Sequence, residues 1–270
     1  MTREPRNMNK PTEETKIDAT AALRRTRSDF LVHWTGHKFD KPPRKGPVTP
    51  EIREQYVNRL KSVLENGFYL YRQEKPEAIA AAEWGKYEYN VSLTCFSEVR
   101  LSYARDHAQR YGRLGIGVRR SFVLDRCGTP AWYVRNRAPE SIVSALFEVW
   151  LYLATSTDQS TATKRTRLDH AMSMLKPMSD SEGQEDFTYL EEHEWRIVFN
   201  HEAKKLGRIV ETGKDNPRFR VPITADDLRV LVFPDDLTRS EALDDNAVKC
   251  FLDKAQSPTI LLTIDECEQL

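Results

Sequence analysis

The chain has 270 residues, of which 39% are hydrophobic and 30% are charged, and its formal net charge is zero. This length allows one large domain or two small ones, and the balanced charge argues against a globally basic nucleic-acid-binding protein. The mean hydropathy of −0.63, with no apolar run near the ~18 residues of a membrane helix, predicts no membrane partner. The start lacks a signal peptide, and four scattered cysteines without CxxC spacing indicate a cytoplasmic protein.

The first predicted elements are a tail, a short strand and an amphipathic helix. Residues 1–22 lack apolar periodicity and predict a flexible tail, which leaves residues 23–270 for a single domain. Residues 30–34 (FLVHW) predict a short buried strand. A helix begins at residues 49–50, where Thr is suited to the N-cap and Pro to the first turn, and it ends at Gly67.

The rest of the chain mixes strands and helices without a regular βαβ rhythm, which predicts an α+β fold. Residues 156–186 are polar and predict a mobile insert that contains one helix. Strands are predicted at 68–71, 91–96, 115–118, 131–134, 195–199, 228–233 and 259–264, and helices at 101–111, 141–155, 168–175 and 240–255, with 78–82 as a further helical segment.

Two common kinds of site motif are absent. Gly112, Gly115 and Gly117 occur in the order GxxGxG, which is neither the dinucleotide fingerprint nor a P-loop. We interpret them as a helix C-cap at Gly112 followed by a strand. Neither His193 nor His201 belongs to an HExxH motif, so we expect no metal.

Charge is unevenly distributed along the chain. Residues 101–140 contain eight Lys and Arg against three Asp and Glu, whereas residues 226–270 contain four against eleven. These segments either form solvated faces that meet each other, or provide an anion-binding middle and an acidic end that contacts a partner.

The residues best suited to chemistry are two glutamates and a histidine. If residues 192–194 (EHE) are extended, Glu192 and Glu194 lie on one face, because side chains alternate along a strand. Such a pair can stabilise a sugar oxocarbenium ion and orient a nucleophile. Alternatively, Glu194 pairs with Arg196 and anchors a sheet edge. His33 is either a hydrogen-bonded core residue or a catalytic residue at the end of its strand.

Five short segments of the chain together carry a resemblance to a known family. They are 28–35 (SDFLVHWT), 60–67 (LKSVLENG), 95–98 (CFSE), 111–117 (YGRLGIG) and 194–197 (EWRI). Over roughly residues 28–200, they resemble the AbiGi family of abortive phage-resistance proteins. Members of this family are described as antitoxins, which implies a toxin partner.

The order of His33, Gly67 and Glu194 also resembles the ADP-ribosyltransferase fold with a His-Tyr-Glu triad. This resemblance implies a split antiparallel or mixed sheet flanked by helices, with NAD as the substrate. It implies that His33 and Thr35 contact the ribose and amide of NAD, that Glu194 is catalytic, and that Glu192 is the first Glu of a Glu-x-Glu variant.

This resemblance does not identify the aromatic residue that would stack on the nicotinamide. Tyr69, Tyr71 and Tyr103 compete for the position, and residues 96–97 (FS) could occupy that strand instead. The predicted catalytic residues are Glu194, Glu192 and His33, and the predicted NAD-binding residues are His33, Trp34, Thr35, Tyr69, Tyr71 and Ser97.

The leading functional hypothesis is an intracellular anti-phage toxin that transfers ADP-ribose from NAD to an RNA or protein target. Such a toxin implies a cognate antitoxin, with a chaperone as a further partner. The alternative is a non-catalytic antitoxin or interaction protein that uses the fold as a scaffold and covers a basic toxin surface with its acidic residues 226–270. A third hypothesis is NAD hydrolysis without an acceptor.

Overall fold

The fold is α+β, with a mostly antiparallel sheet flanked by helices, as the sequence predicted. The predicted tail at 1–22 and the helical segment at 78–82 lie outside the residues that the structure describes. This computed structural model describes residues 29–44, 46–74, 89, 91–98, 100–134, 142–155, 159–178, 190–213 and 218–270.

Twelve strands occur in the described residues, ten of them in one sheet and two in a small separate pair. The strands are β1 (Phe30–Thr35), β2 (Phe68–Gln73), β3 (Val91–Ser97), β4 (Leu114–Arg119), β5 (Thr129–Pro130), β6 (Trp132–Val134), β7 (Leu175–Pro177), β8 (Glu194–Val198), β9 (Val210–Thr212), β10 (Arg218–Val221), β11 (Leu228–Phe233) and β12 (Ile260–Thr263).

Nine α-helices occur in the same residues, and none of them is long and apolar enough to cross a membrane. Three short 3-10 turns accompany them, at Leu101–Tyr103, Leu190–Glu192 and Ala225–Asp227. The helices are α1 (Pro50–Asn66), α2 (Ala104–Tyr111), α3 (Arg120–Leu124), α4 (Ile142–Thr155), α5 (Gln159–Ser173), α6 (His201–Lys205), α7 (Asp236–Asp244), α8 (Asn246–Leu252) and α9 (Ile264–Cys267).

The large sheet is split at β3. Its strand order is β12-β11-β4-β1-β3-β2-β10-β9, with β8 and β5 added beside β3, and only β11 and β12 are parallel. β8 pairs with β3 over residues 93–97, so it occupies one edge of that strand. β2 pairs with β3 at Val91 to Leu93 and β1 pairs with it at Ser97, so both share the other edge. The sheet therefore opens between β1 and β2.

Helix α1 forms as the sequence predicted and packs into the main core. Thr49 caps it, because its hydroxyl accepts a hydrogen bond from the Ile52 amide at 3.4 Å. Gly67 ends it with a φ of 81°, and a Cβ there would lie 2.2 Å from the Val221 carbonyl oxygen. Each buried Leu or Val contributes about 1.5–3 kcal/mol to stability. The buried face of α1 carries Tyr56, Leu60, Val63 and Leu64.

Helices α4 and α5 pack with the β6–β7 pair around a second core. Trp150 is fully buried there, and its indole Nε1 donates to Asp169 Oδ1 at 2.6 Å. The prediction of a helix at 168–175 was wrong in extent, since α5 begins at Gln159 and Leu175 starts a strand. The first half of α5 is polar on most sides, so apolar periodicity could not reveal it.

The acidic end of the chain contacts basic residues of the rest of the protein. Arg105, from the basic segment, pairs with Asp265 at 2.8 Å and with Glu268. Lys61 pairs with Asp245 at 2.9 Å. Asp245 also accepts from two amides at the start of α8, which is why the helix predicted at 240–255 is two helices instead of one.

Candidate functional site

The split between β1 and β2 forms a cleft with a volume of about 1160 Å³. Residues from α1, α2, β3, β7 and β10 complete its walls. The structure brings every residue of the predicted site to this one cleft. They are His33, Trp34, Thr35, Tyr69, Tyr71, Ser97, Glu192 and Glu194.

His33 bridges the split in the sheet. Its Nδ1 donates a hydrogen bond to the Cys95 carbonyl oxygen at 2.8 Å, at a point where β3 has no backbone partner from β1 or β2. Its ring lies 5.1 Å from Phe68 and 5.7 Å from Phe96, measured between ring centroids. Burial lowers the pKa of His33 to about 4, although the hydrogen bond to Cys95 opposes this shift. The imidazole is therefore neutral at pH 7, as expected of a hydrogen-bonded structural histidine.

The competing aromatic residues occupy different places. Tyr69 and Tyr71 line the cleft from β2 and are 42% and 40% exposed. Tyr103 is exposed but does not line it, and Phe96 is buried in the main core. Trp34 contributes to the lining, but its indole stacks on His107 beneath α2 at 6.1 Å. Of the three competing tyrosines, Tyr69 and Tyr71 thus line the cleft and Tyr103 does not.

The prediction that residues 192–194 are extended was wrong. Glu192 ends a 3-10 turn, His193 has a φ of 43°, and Glu194 begins β8. A residue with positive φ reverses the local chain direction, so simple alternation along a strand does not apply. The two carboxylates nevertheless come together, because both bind the ammonium group of Lys176.

The carboxylates lie in a buried network of ion pairs. Lys176 Nζ donates to Glu192 Oε2 at 2.5 Å and also to Glu194 Oε2. Arg196 Nε donates to Glu194 Oε1 at 2.5 Å, which is the pairing that the structural alternative predicted. Glu192 Oε1 accepts from the Tyr111 hydroxyl and, at 3.3 Å, from Arg110.

This network leaves Glu194 with little free charge. Burial alone would raise the pKa of Glu194, but the charges of Arg196 and Lys176 outweigh burial and hold that pKa well below its usual value. Both carboxylate oxygens already accept a bond from a cation. A carboxylate that stabilises an oxocarbenium ion has to present uncompensated negative charge. The arrangement therefore favours a structural role for Glu194.

Sequence reasoning missed most of the cations in the cleft. Lys176 was detectable as one charge in an otherwise apolar run, residues 174–178 (MLKPM). Arg218 and Arg220 alternate in RFRV, a spacing that places both on one face of a strand. Arg59, on α1, gives no comparable signal, because an isolated arginine on a helix is usually a solvated surface residue.

No metal site is supported by a grouping of side chains in the described residues, and NAD binding stays a prediction. The described residues contain no group of three or more His, Cys, Asp or Glu side chains that could hold a metal ion. The basic side chains of the cleft, such as Arg59 and Arg220, are suited to phosphate groups, whether of NAD or of another nucleotide.

One comparison with known proteins gave a match. The model of the family described as "Putative abortive phage resistance protein AbiGi, antitoxin" matches residues 86–219, just under half of the chain. This match supports the resemblance of the chain to the AbiGi family. No curated protein and no solved structure shows significant similarity to the chain. The matched AbiGi segment includes Lys176, Glu192 and Glu194, whereas His33 and the end of α1 lie before it.

The AbiGi match corrects the leading functional hypothesis. Because the family is described as an antitoxin, the prediction of a toxin that transfers ADP-ribose is wrong, and the antitoxin alternative is favoured. An antitoxin family implies a toxin partner. The part of the expected fold class that named ADP-ribosyltransferases stays a prediction, because no solved structure matches.

Proposed function

We propose that this protein is a non-catalytic antitoxin of an abortive-infection toxin–antitoxin pair and that it acts by binding its toxin. The AbiGi match carries the proposal. We also propose that the split sheet is an ADP-ribosyltransferase-like scaffold without transferase activity. The two buried cations on Glu194 support this part, because they cancel the charge that such chemistry needs.

The acidic end is poorly suited to bind a basic toxin. It lies outside the matched segment, and several of its carboxylates already pair with the chain's own cations. A toxin surface would have to displace Arg53, Lys61 and Arg105 to reach them. Exposed ion pairs contribute little energy, so their exchange for other pairs would add little affinity.

Helix α4 offers a better toxin-binding surface, and it lies within the matched segment. One side of α4 packs into the second core through Val143 and Trp150. The other side exposes apolar side chains at positions i, i+3, i+7 and i+10, which form one stripe on a helix. Tyrosine is among the residues that dominate the energy of protein interfaces, and apolar neighbours that exclude water support it. The stripe consists of Ile142, Ala145, Val149 and Tyr152.

Growth assays test the antitoxin proposal directly. We expect expression of this chain alone to leave growth unchanged, and its co-expression with the product of the neighbouring toxin gene to restore growth. Glu194→Gln should still neutralise the toxin once circular dichroism shows that the variant folds, since no transfer chemistry is involved. Growth arrest by this chain alone that disappears in the folded Glu194→Gln variant would overturn the proposal.

Surface variants test where the toxin binds. We expect the double substitution Val149→Glu and Tyr152→Glu to abolish both rescue and co-purification with the toxin. Leu237→Glu is the matched control, because Leu237 is 60% exposed on α7 and lies outside the matched segment. Circular dichroism would establish that the variants fold. Equal rescue by the double variant and the control would refute the role of the α4 stripe.

A further inference from the structure

The cleft has an excess of positive charge. Seven Lys and Arg residues line it, against two glutamates, and both glutamates are already bound by cations. Within the part of the chain that the structure describes, no carboxylate pairs with the five remaining basic side chains. These five residues, named here the cationic wall, are Lys38, Arg59, Arg72, Arg218 and Arg220.

The same positive charges lower the pKa values of the neighbouring histidines. Burial lowers the pKa of His37, and the charges of Lys38 and Arg59 lower it further. Arg59 also contributes to the lowered pKa of His33, after the larger effect of burial. A group of uncompensated cations in a concave surface focuses the potential and attracts anionic ligands.

Two exposed tyrosines stand beside the cationic wall. Tyr69 and Tyr71 alternate with the buried Phe68 and Leu70 along β2, so both point to the cleft side of the strand. Residues two apart on a strand are separated by about 7 Å. The guanidinium of Arg220 lies 5.8 Å from the centroid of the Tyr69 ring. An aromatic pair on a strand next to arginines is suited to stack successive bases while cations bind the phosphates.

The size of the cleft also leaves room for a ligand larger than a mononucleotide. Its volume of about 1160 Å³ exceeds the roughly 300–1,000 Å³ of sites for drug-sized molecules. The cationic wall draws on the β1–α1 loop, α1, β2 and β10, so its five charges are spread over four elements of the cleft lining. Spread charge matches a phosphodiester backbone better than a single phosphate group.

We propose that this cleft binds a short segment of single-stranded nucleic acid, with bases stacked on Tyr69 and Tyr71 and phosphates on the cationic wall. Recognition is largely independent of sequence, because stacking and phosphate contacts carry little base information. This proposal goes beyond toxin binding, which we place on α4, so either can fail without the other. It gives the antitoxin a second ligand, and occupancy of the cleft then depends on the amount of single-stranded nucleic acid in the cell.

Fluorescence anisotropy with a labelled 12-nucleotide polyU RNA and the full chain tests the proposal. We expect saturable binding that weakens with salt. Loss of one phosphate contact, in Arg218→Gln, should reduce the slope of log affinity against log salt by about 0.7. Tyr69→Ala and Tyr71→Ala should each weaken binding by about 5-fold to 150-fold. Tyr103→Ala is the matched control, since Tyr103 is exposed outside the cleft.

Competition experiments identify the ligand class. Unlabelled polydT of equal length should compete, and the ratio of its affinity to that of RNA shows whether the site distinguishes the two. A 12-base-pair duplex that binds as tightly as the single strand would overturn the proposal, because paired bases cannot stack on the tyrosines. If NAD displaced the labelled RNA at concentrations well below those at which the unlabelled oligonucleotide competes, the cleft would be a dinucleotide site instead. Equal competition by polyglutamate, or equal binding by Tyr69→Ala and Tyr103→Ala, would reduce the cleft to a general anion site and refute base stacking.

Discussion

Lys176 is the central cation of the buried network, and Lys176→Met tests whether the network is structural. Methionine has a similar length and no charge, so the substitution removes the ammonium group without a large cavity. Glu192 would keep Arg110 and Tyr111, and Glu194 would keep Arg196 and the hydrogen bond from the Cys95 side chain. One cation that now serves two buried carboxylates would be lost.

The expected cost follows from the burial of this network. The side chains of Lys176, Glu192 and Glu194 are 6%, 2% and 7% exposed. Removal of one partner from a buried ion pair typically costs about 3–5 kcal/mol. We therefore expect Lys176→Met to reduce the free energy of unfolding by about 3–5 kcal/mol. Lys205→Met is the control, because Lys205 and its partner Glu202 are 71% and 73% exposed, and it should cost no more than about 1 kcal/mol.

Urea unfolding at several pH values measures this effect. The pKa of Glu194 is lowered in the folded protein, so its contribution to stability is present above its unfolded pKa of about 4.3 and is lost as the pH falls through the folded value. Lys176→Met reduces that lowering, so the difference from the unsubstituted protein should shrink below pH 4. A cost equal to that of Lys205→Met, or one independent of pH, would refute the structural role of the network.

Three further predictions concern stability. The pKa of His33 is lowered to about 4, so its contribution to the free energy of unfolding is complete above pH 6.5 and is lost as the pH falls toward 4. His33→Gln should remove that part of the pH dependence of unfolding. NMR should place the titration midpoint of His33 near pH 4, and a midpoint near 6.5 would contradict this. Gly67→Ala should destabilise the fold more than Gly207→Ala in thermal unfolding, because both have positive φ but only Gly67 faces a backbone oxygen; equal costs would exclude that clash. Asp245→Ala should lower the midpoint of urea unfolding through loss of the α8 N-cap and of the ion pair with Lys61, and an unchanged midpoint would show that solvent replaces both.

Local signals predicted much of the fold. Helix α1 was predictable at both ends, because Thr49 supplies an N-cap oxygen and Gly67 tolerates positive φ. Most strands have enough β-branched and aromatic residues to be recognised from a period of two. The polar α5 and the short β5, β9 and β10 were missed or misplaced, since their apolar contacts come from distant parts of the chain.

The candidate site was predictable in its members but not in its electrostatics. The order of His33 and Glu194 led to residues that share one cleft. The charge state of Glu194 depends on Lys176, which arrives from a strand 18 residues earlier in the chain. No local pattern specifies such a contact, because it depends on how the β6–β7 pair docks against β8. The catalytic role inferred for Glu194 from residue type alone therefore stays a prediction, and its ion pairs favour a structural role.

The position of Lys176 on β7 has a consequence for local unfolding. β7 belongs to the outer layer of α4, α5 and β6. Several hydrogen bonds join this layer to the large sheet, among them those from the Ala131 amide to the Glu194 carbonyl oxygen at 2.8 Å and from Arg196 to the Ser173 carbonyl oxygen. If this layer opened alone, Glu192 and Glu194 would lose their shared cation. The free energy of this local opening therefore includes the cost of breaking the ion pairs with Lys176. The outer layer and the segment that carries Glu192 and Glu194 should then exchange amide hydrogens as one cooperative unit. A ligand or substitution that stabilises these ion pairs should therefore slow exchange in α4 and α5.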